Sequence, residues 1–78
     1  MIYPIREGNI YQTKDGYIYI EDVCIEESGI TITYTHTVAL IGKSFRYMTS
    51  LDLFVKKLLS VESNLIDGTG DIHYEYQI

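Results

Sequence analysis

Three groupings of residues in this sequence could do chemistry. Asp71, His73 and Glu75 fall at i, i+2 and i+4, so in an extended chain they share one face and could offer a metal ion two carboxylates and an imidazole. The simpler account is that the polar phase of any solvated strand produces the same spacing. Cys24 and His36 flank a turn at Glu27-Ser28-Gly29, where a thiol nucleophile and an imidazole base could meet across a hairpin. No residue to orient the base and no oxyanion-hole signal accompany them, and a His in an apolar phase is more often a core residue satisfied by one hydrogen bond. Gly68 and Gly70 frame a G-x-G, but no third Gly, following helix or Lys-Ser/Thr completes a phosphate loop.

Two further features suit recognition better than catalysis. The chain holds 8 Tyr, more than so small a core can bury with every hydroxyl satisfied, and exposed Tyr anchors protein interfaces. Tyr74 and Tyr76, beside Glu75, are the candidates at the C-terminal end. Acidic residues gather at Glu21, Asp22, Glu26 and Glu27, and again at Glu62, Asp67, Asp71 and Glu75. Together they could steer a basic partner surface or imitate a nucleic-acid backbone. Solvated turn acids and Tyr covering sheet edges are the plainer accounts.

The elements that must position these residues are mostly strands. Ile30, Ile32, Tyr34, His36 and Val38 alternate with four Thr, a period of two that excludes a helix and assigns one face to the core and a Thr row to solvent. That phase makes His36 structural. Before it, Pro4 to Gly8 reads as an extended lead-in, Asn9 to Thr13 as a first strand, and Lys14-Asp15-Gly16 as a hairpin turn into a second strand, Tyr17 to Glu26. Glu21 and Asp22 interrupt the apolar run there, which predicts a bend or bulge that could let one strand serve two sheets. Gly42-Lys43-Ser44 is a turn, and Phe45 to Met48 a short strand.

Thr49 or Ser50 can cap a helix, with Asp52 in its first turn. Leu51, Phe54, Val55, Leu58 and Leu59 then make one apolar stripe over about residues 50–60, which must dock onto the sheet. Val61 to Ile66 has no clear period. Ile72 to Ile78 alternates again and predicts a terminal strand that is paired.

Gly8-Asn9-Ile10-Tyr11, Asp15-Gly16-Tyr17-Ile18-Tyr19-Ile20, and Phe45-Arg46-Tyr47-Met48 running into Leu51 to Leu58 resemble the small SH3-like β-barrel proteins of phage and bacterial origin. The resemblance covers about residues 8 to 59 and implies a fold without carrying site residues. Composition agrees with a mainly β chain: 12 Ile and 8 Tyr against 1 Pro and no Trp. The same bias follows from AT-rich coding, common in bacteriophages.

A length of 78 residues allows one core and one domain, residues 1–78. The net charge of −5, with only 6 basic residues, disfavours nucleic-acid binding, although a barrel of this kind could bind single strands by stacking. One Cys cannot form an internal disulfide, and neither a secretory signal nor a membrane-length apolar run is present. The expectation is a cytoplasmic protein, in the host cytoplasm if phage-encoded, with no cofactor and no membrane. The sequence therefore predicts an α+β, mainly β domain: an SH3-like barrel or curved antiparallel sheet of about five strands with one helix. Its expected role is to bind or inhibit a host protein through Tyr74, Tyr76, Glu75, Glu21, Asp22, Glu26 and Glu27. Two alternatives are an enzyme or metal protein using Cys24 and His36 or Asp71, His73 and Glu75, and a nucleic-acid-binding barrel. A domain this small also has edges that a second copy could cover.

Overall fold

The alternation from Ile30 to Val38 becomes the central element of a sheet. The structure, a computed structural model, describes residues 2–67 and 74–77, with side chains for residues 5–66. In chain order the elements are β1 (Ile2–Ile5), β2 (Ile10–Gln12), β3 (Gly16–Glu26), β4 (Gly29–Val38), β5 (Lys43–Ser50), α1 (Leu51–Ser60), β6 (Asn64–Asp67) and β7 (Tyr74–Gln77). Five strands form one open antiparallel sheet in the order β5-β4-β3-β2-β6, and β1 pairs with β7 in a separate ribbon. The edges of the larger sheet are β5 and β6.

In β4, Ile32, Tyr34 and His36 are buried, as the phase requires. The Thr face is less open than its polarity implied. Thr33 is buried and Thr31, Thr35 and Thr37 are half-buried, because the flanking strands set longer side chains beside them, Asp22 and Met48 next to Thr33 and Arg46 next to Thr35. On β3, Ile18 and Ile20 face the core, the register then shifts between Ile20 and Asp22, and Val23 returns to the core opposite Ile32. This is the bulge that the interrupted apolar run predicted, but β3 stays within one sheet throughout instead of passing between two. The loop after β1 holds the distorted stretch. The Gly8 N–H donates to the Ile20 carbonyl at 2.8 Å, and the Val23 N–H donates to the Glu7 carboxylate at 3.3 Å.

The first hairpin shows why Gly stands at position 16. Gly16 opens β3 opposite Val38, and a Cβ there would run into the Thr37 carbonyl, so close approach of backbone to backbone, more than a turn conformation, demands Gly. The β4–β5 connection turns earlier than expected, at residues 39–42, and β5 begins at Lys43.

Ser50 caps α1, its Oγ accepting from the Leu53 N–H at 3.4 Å. Leu51, Phe54, Val55 and Leu58 are buried, each burial contributing roughly 1.5 to 3 kcal/mol. Leu59, at the margin of the stripe, is half exposed, so the docked face is one residue narrower than the spacing implied. Phe54 is the centre of that contact: its ring lies 6.2 Å from Tyr11, edge-on, and 5.0 Å from Tyr34. The helix ends as the chain turns through Glu62, at φ 51°, with the Ser63 N–H and hydroxyl both donating to the Leu58 carbonyl.

Two strands lie where the sequence predicted none. Pro4 falls inside β1, tolerated because each strand of a two-stranded ribbon keeps one unbonded side. Asn64 to Asp67, without a period of its own, becomes β6 by pairing with β2. The C-terminal strand is paired as expected, Tyr74 to Gln77 matching Ile5 to Ile2.

Candidate protein-contact surface

Alternation along β3 sends Ile18 and Ile20 under the helix and Tyr17 and Tyr19 to the opposite face, where both rings remain 43% exposed. The extra residue at the bulge places Glu21 and Asp22 on this outer face together, next to Tyr19. Glu21 is fixed in position. Its carboxylate accepts from the Thr35 hydroxyl at 3.0 Å and meets the Arg46 Nε at 2.6 Å, so one bulge residue spans β3, β4 and β5. Asp22 is exposed and, with Thr33, Arg46, Tyr47 and Met48, lines an open concavity at the β5 side. Farther along β3, Ile25, Glu26 and Glu27 are exposed at the β3–β4 hairpin end.

Of the second acidic group, only Asp67 stands among the described residues on the same sheet as the first. Asp67 is in register with Ile10, and Ile10 with Tyr19, so Asp67 lies two strands from β3, which carries the first group. Glu62 instead pairs with Lys14 at 3.3 Å. Tyr74, Glu75 and Tyr76 lie on β7, paired with Ile5, Pro4 and Tyr3. Asp71 and His73 lie outside the described residues, so the Asp71, His73, Glu75 set has no geometry to compare. Among the described residues no group of three His, Cys, Asp or Glu is placed to hold a metal ion.

Cys24 and His36 do not come together. Cys24 pairs with Thr31 on the outer face and His36 with Ile18 on the core face, five positions farther along β4, a separation of roughly 16 Å. The thiol donates to the Glu26 carboxylate at 3.2 Å, and that carboxylate pushes its pKa up, the reverse of what a thiolate nucleophile needs. His36 is buried against Asp15, with Nε2 and Oδ1 3.0 Å apart. The Thr13 hydroxyl donates to the same oxygen at 2.7 Å, and Thr13 first, then His36, holds the Asp15 carboxyl below its ordinary range. This imidazole ties the first hairpin to β4.

The sequence missed Tyr17 and Tyr19 as outer-face residues. Their signal was present, since a run of Tyr, Ile, Tyr, Ile has two faces and only one can carry the helix. The chain matches no protein-family model, no curated protein and no solved structure. The resemblance to SH3-like barrels gains no support from these comparisons. Among the described residues no helix is long and apolar enough to cross a membrane.

Proposed function

We propose that the chain is a small protein-binding module that engages a partner through the outer face of its sheet and the acidic β3–β4 hairpin end. The observation that carries this is the placement of Tyr17 and Tyr19, half exposed and adjacent on the helix-free face, beside the carboxylates of Glu21 and Asp22. Stiff aromatic rings supply contact area at small entropic cost, and flanking acids favour a partner with a basic rim. The net charge of −5 supports the same sign of partner. A phage-encoded factor that binds or inhibits a host protein in the host cytoplasm fits this description, and the Ile- and Tyr-rich composition is in keeping with that origin. The bulge supports a strongly coiled β3, a feature that SH3-like barrels share.

The test is capture from host lysate at moderate salt with the wild-type chain and with Tyr17→Ser/Tyr19→Ser. The expected result is a stoichiometric partner that the wild type retains, that the double variant loses, and that elutes as salt rises. No retained partner, or equal retention by both chains, would overturn the proposal.

A further inference from the structure

Strand β5 has the length and regularity of an inner strand but stands at the edge. All eight of its residues pair with β4 without a register break, and among the described residues nothing pairs with its other side. Natural edges are guarded by charge, proline or a bulge. β5 has neither proline nor bulge, and its mid-strand charge is partly offset: the Arg46 Nε meets the Glu21 carboxylate across β4 at 2.6 Å, while the side chain stays 71% exposed. Lys43 remains only at the strand's beginning. Phe45 and Tyr47 on the core side, 43% and 44% exposed, and Met48 on the outer side, 74% exposed, line this edge.

We infer that this edge pairs with β5 of a second copy, antiparallel about a two-fold axis, joining two five-stranded sheets into one. The interaction is independent of the outer-face contact proposed above. Residues opposed in an antiparallel pair lie on the same face, so the axis must pass through a residue position and not between two. Centring on Arg46 would oppose the two arginines, and like charges directly opposite destabilise. Centring on Tyr47 leaves no such conflict. Tyr47 then meets its own copy, Phe45 meets the second copy's Thr49, Arg46 meets its Met48, and Ser44 meets its Ser50. The strand is self-complementary in this register.

Sedimentation velocity over a hundredfold concentration range tests the pairing, with Met48→Lys and Met48→Glu read beside the wild type. Met48 is exposed, so both variants keep the fold, checked by circular dichroism. The wild type should sediment as a dimer that dissociates on dilution. Met48→Lys sets a cation opposite Arg46 twice by symmetry and should weaken the dimer by about tenfold or more in Kd. Met48→Glu should match or exceed the wild type. In a Cys24→Ser background, Tyr47→Cys should oxidise to a disulfide-linked dimer, since Cα atoms of directly opposed residues lie within disulfide reach, whereas Leu53→Cys on the helix should not. A wild-type chain that stays monomeric throughout, or a dimer indifferent to the charge at position 48, would overturn the inference.

Discussion

Replacing Phe54 by Ala takes away the ring on which sheet and helix meet. Phe54 is fully buried and contacts Tyr11 of β2 and Tyr34 of β4, so its removal leaves a void between two strands and α1 that local movement fills only in part. Fully buried Phe to Ala changes cost about 3 to 5 kcal/mol, and two flanking aromatic rings place this site in the upper half of that range. A chain of 78 residues has about 4 to 12 kcal/mol of stability in total. With a urea slope of about 1 kcal/mol per molar for so small a domain, the midpoint should fall by roughly 4 to 5 M, which at the low end of that stability leaves the variant unfolded without urea. Phe54→Leu keeps most of the volume and should cost about 1.5 kcal/mol or less. Leu53→Ala, one residue away but exposed, should stay within about 0.5 kcal/mol. Urea unfolding followed by circular dichroism reads all three. Equal midpoints for Phe54→Ala and Leu53→Ala would show that the helix does not dock through this ring, and the core described above would be wrong.

Gly16→Ala should cost more than about 1 kcal/mol of unfolding free energy, because the new methyl meets the Thr37 carbonyl, whereas Gly29→Ala, at φ 138° but with open space around it, meets backbone strain alone and should cost less; thermal melts of the pair decide it. The depressed pKa of Asp15 means that its contribution is present above the unfolded value of about 3.9 and is lost as pH falls through the lower folded value. Asp15→Asn should therefore flatten the acid limb of stability against pH below about pH 4, and an unchanged limb would refute the link to Thr13 and His36. Cys24, its thiol pKa raised by Glu26, should alkylate with iodoacetamide at pH 8 more slowly than an unperturbed thiol, and Glu26→Gln should speed it severalfold, read by mass spectrometry. Glu62 adopts the left-handed region at the helix end, where its N–H donates to the Leu59 carbonyl and its side chain makes an exposed ion pair with Lys14. Glu62→Gly should raise stability by up to about 1 kcal/mol in urea unfolding.

What could be read from the chain divides by the range of the interactions involved. The phase of β4, the irregularity at Glu21 and the Ser50 cap are written in neighbouring residues, and each is found where its local pattern put it. β1 and β6 are different. Asn64 to Asp67 is a strand only because β2 lies alongside, and β2 is more than fifty residues away in sequence. Pro4 argued against a strand and yields to a partner near the other end of the chain. The candidate surface divides the same way. Glu21, Asp22, Glu26 and Glu27 were visible as a charge cluster, but that Glu21 is engaged by Arg46 while Asp22 stays open depends on the side chains set across β4 and β5. The meeting of Cys24 and His36 failed for a simple reason: both flank the hairpin, but they lie on opposite faces and at different heights.

The bulge joins these observations. If Glu21 were absent from β3, Ile20, Asp22 and Val23 would follow in unbroken alternation, and Val23 would still reach the core opposite Ile32. The core therefore gains nothing from the extra residue. The surface gains a second carboxylate beside Tyr19 and a tether for Arg46, and that tether partly offsets the charge at the middle of β5. One inserted residue thus bears on both contact surfaces, the outer face through its own charge and the edge through the charge it offsets. Bulges at sheet edges and functional sites commonly act this way, by re-aiming side chains more than by altering what is buried.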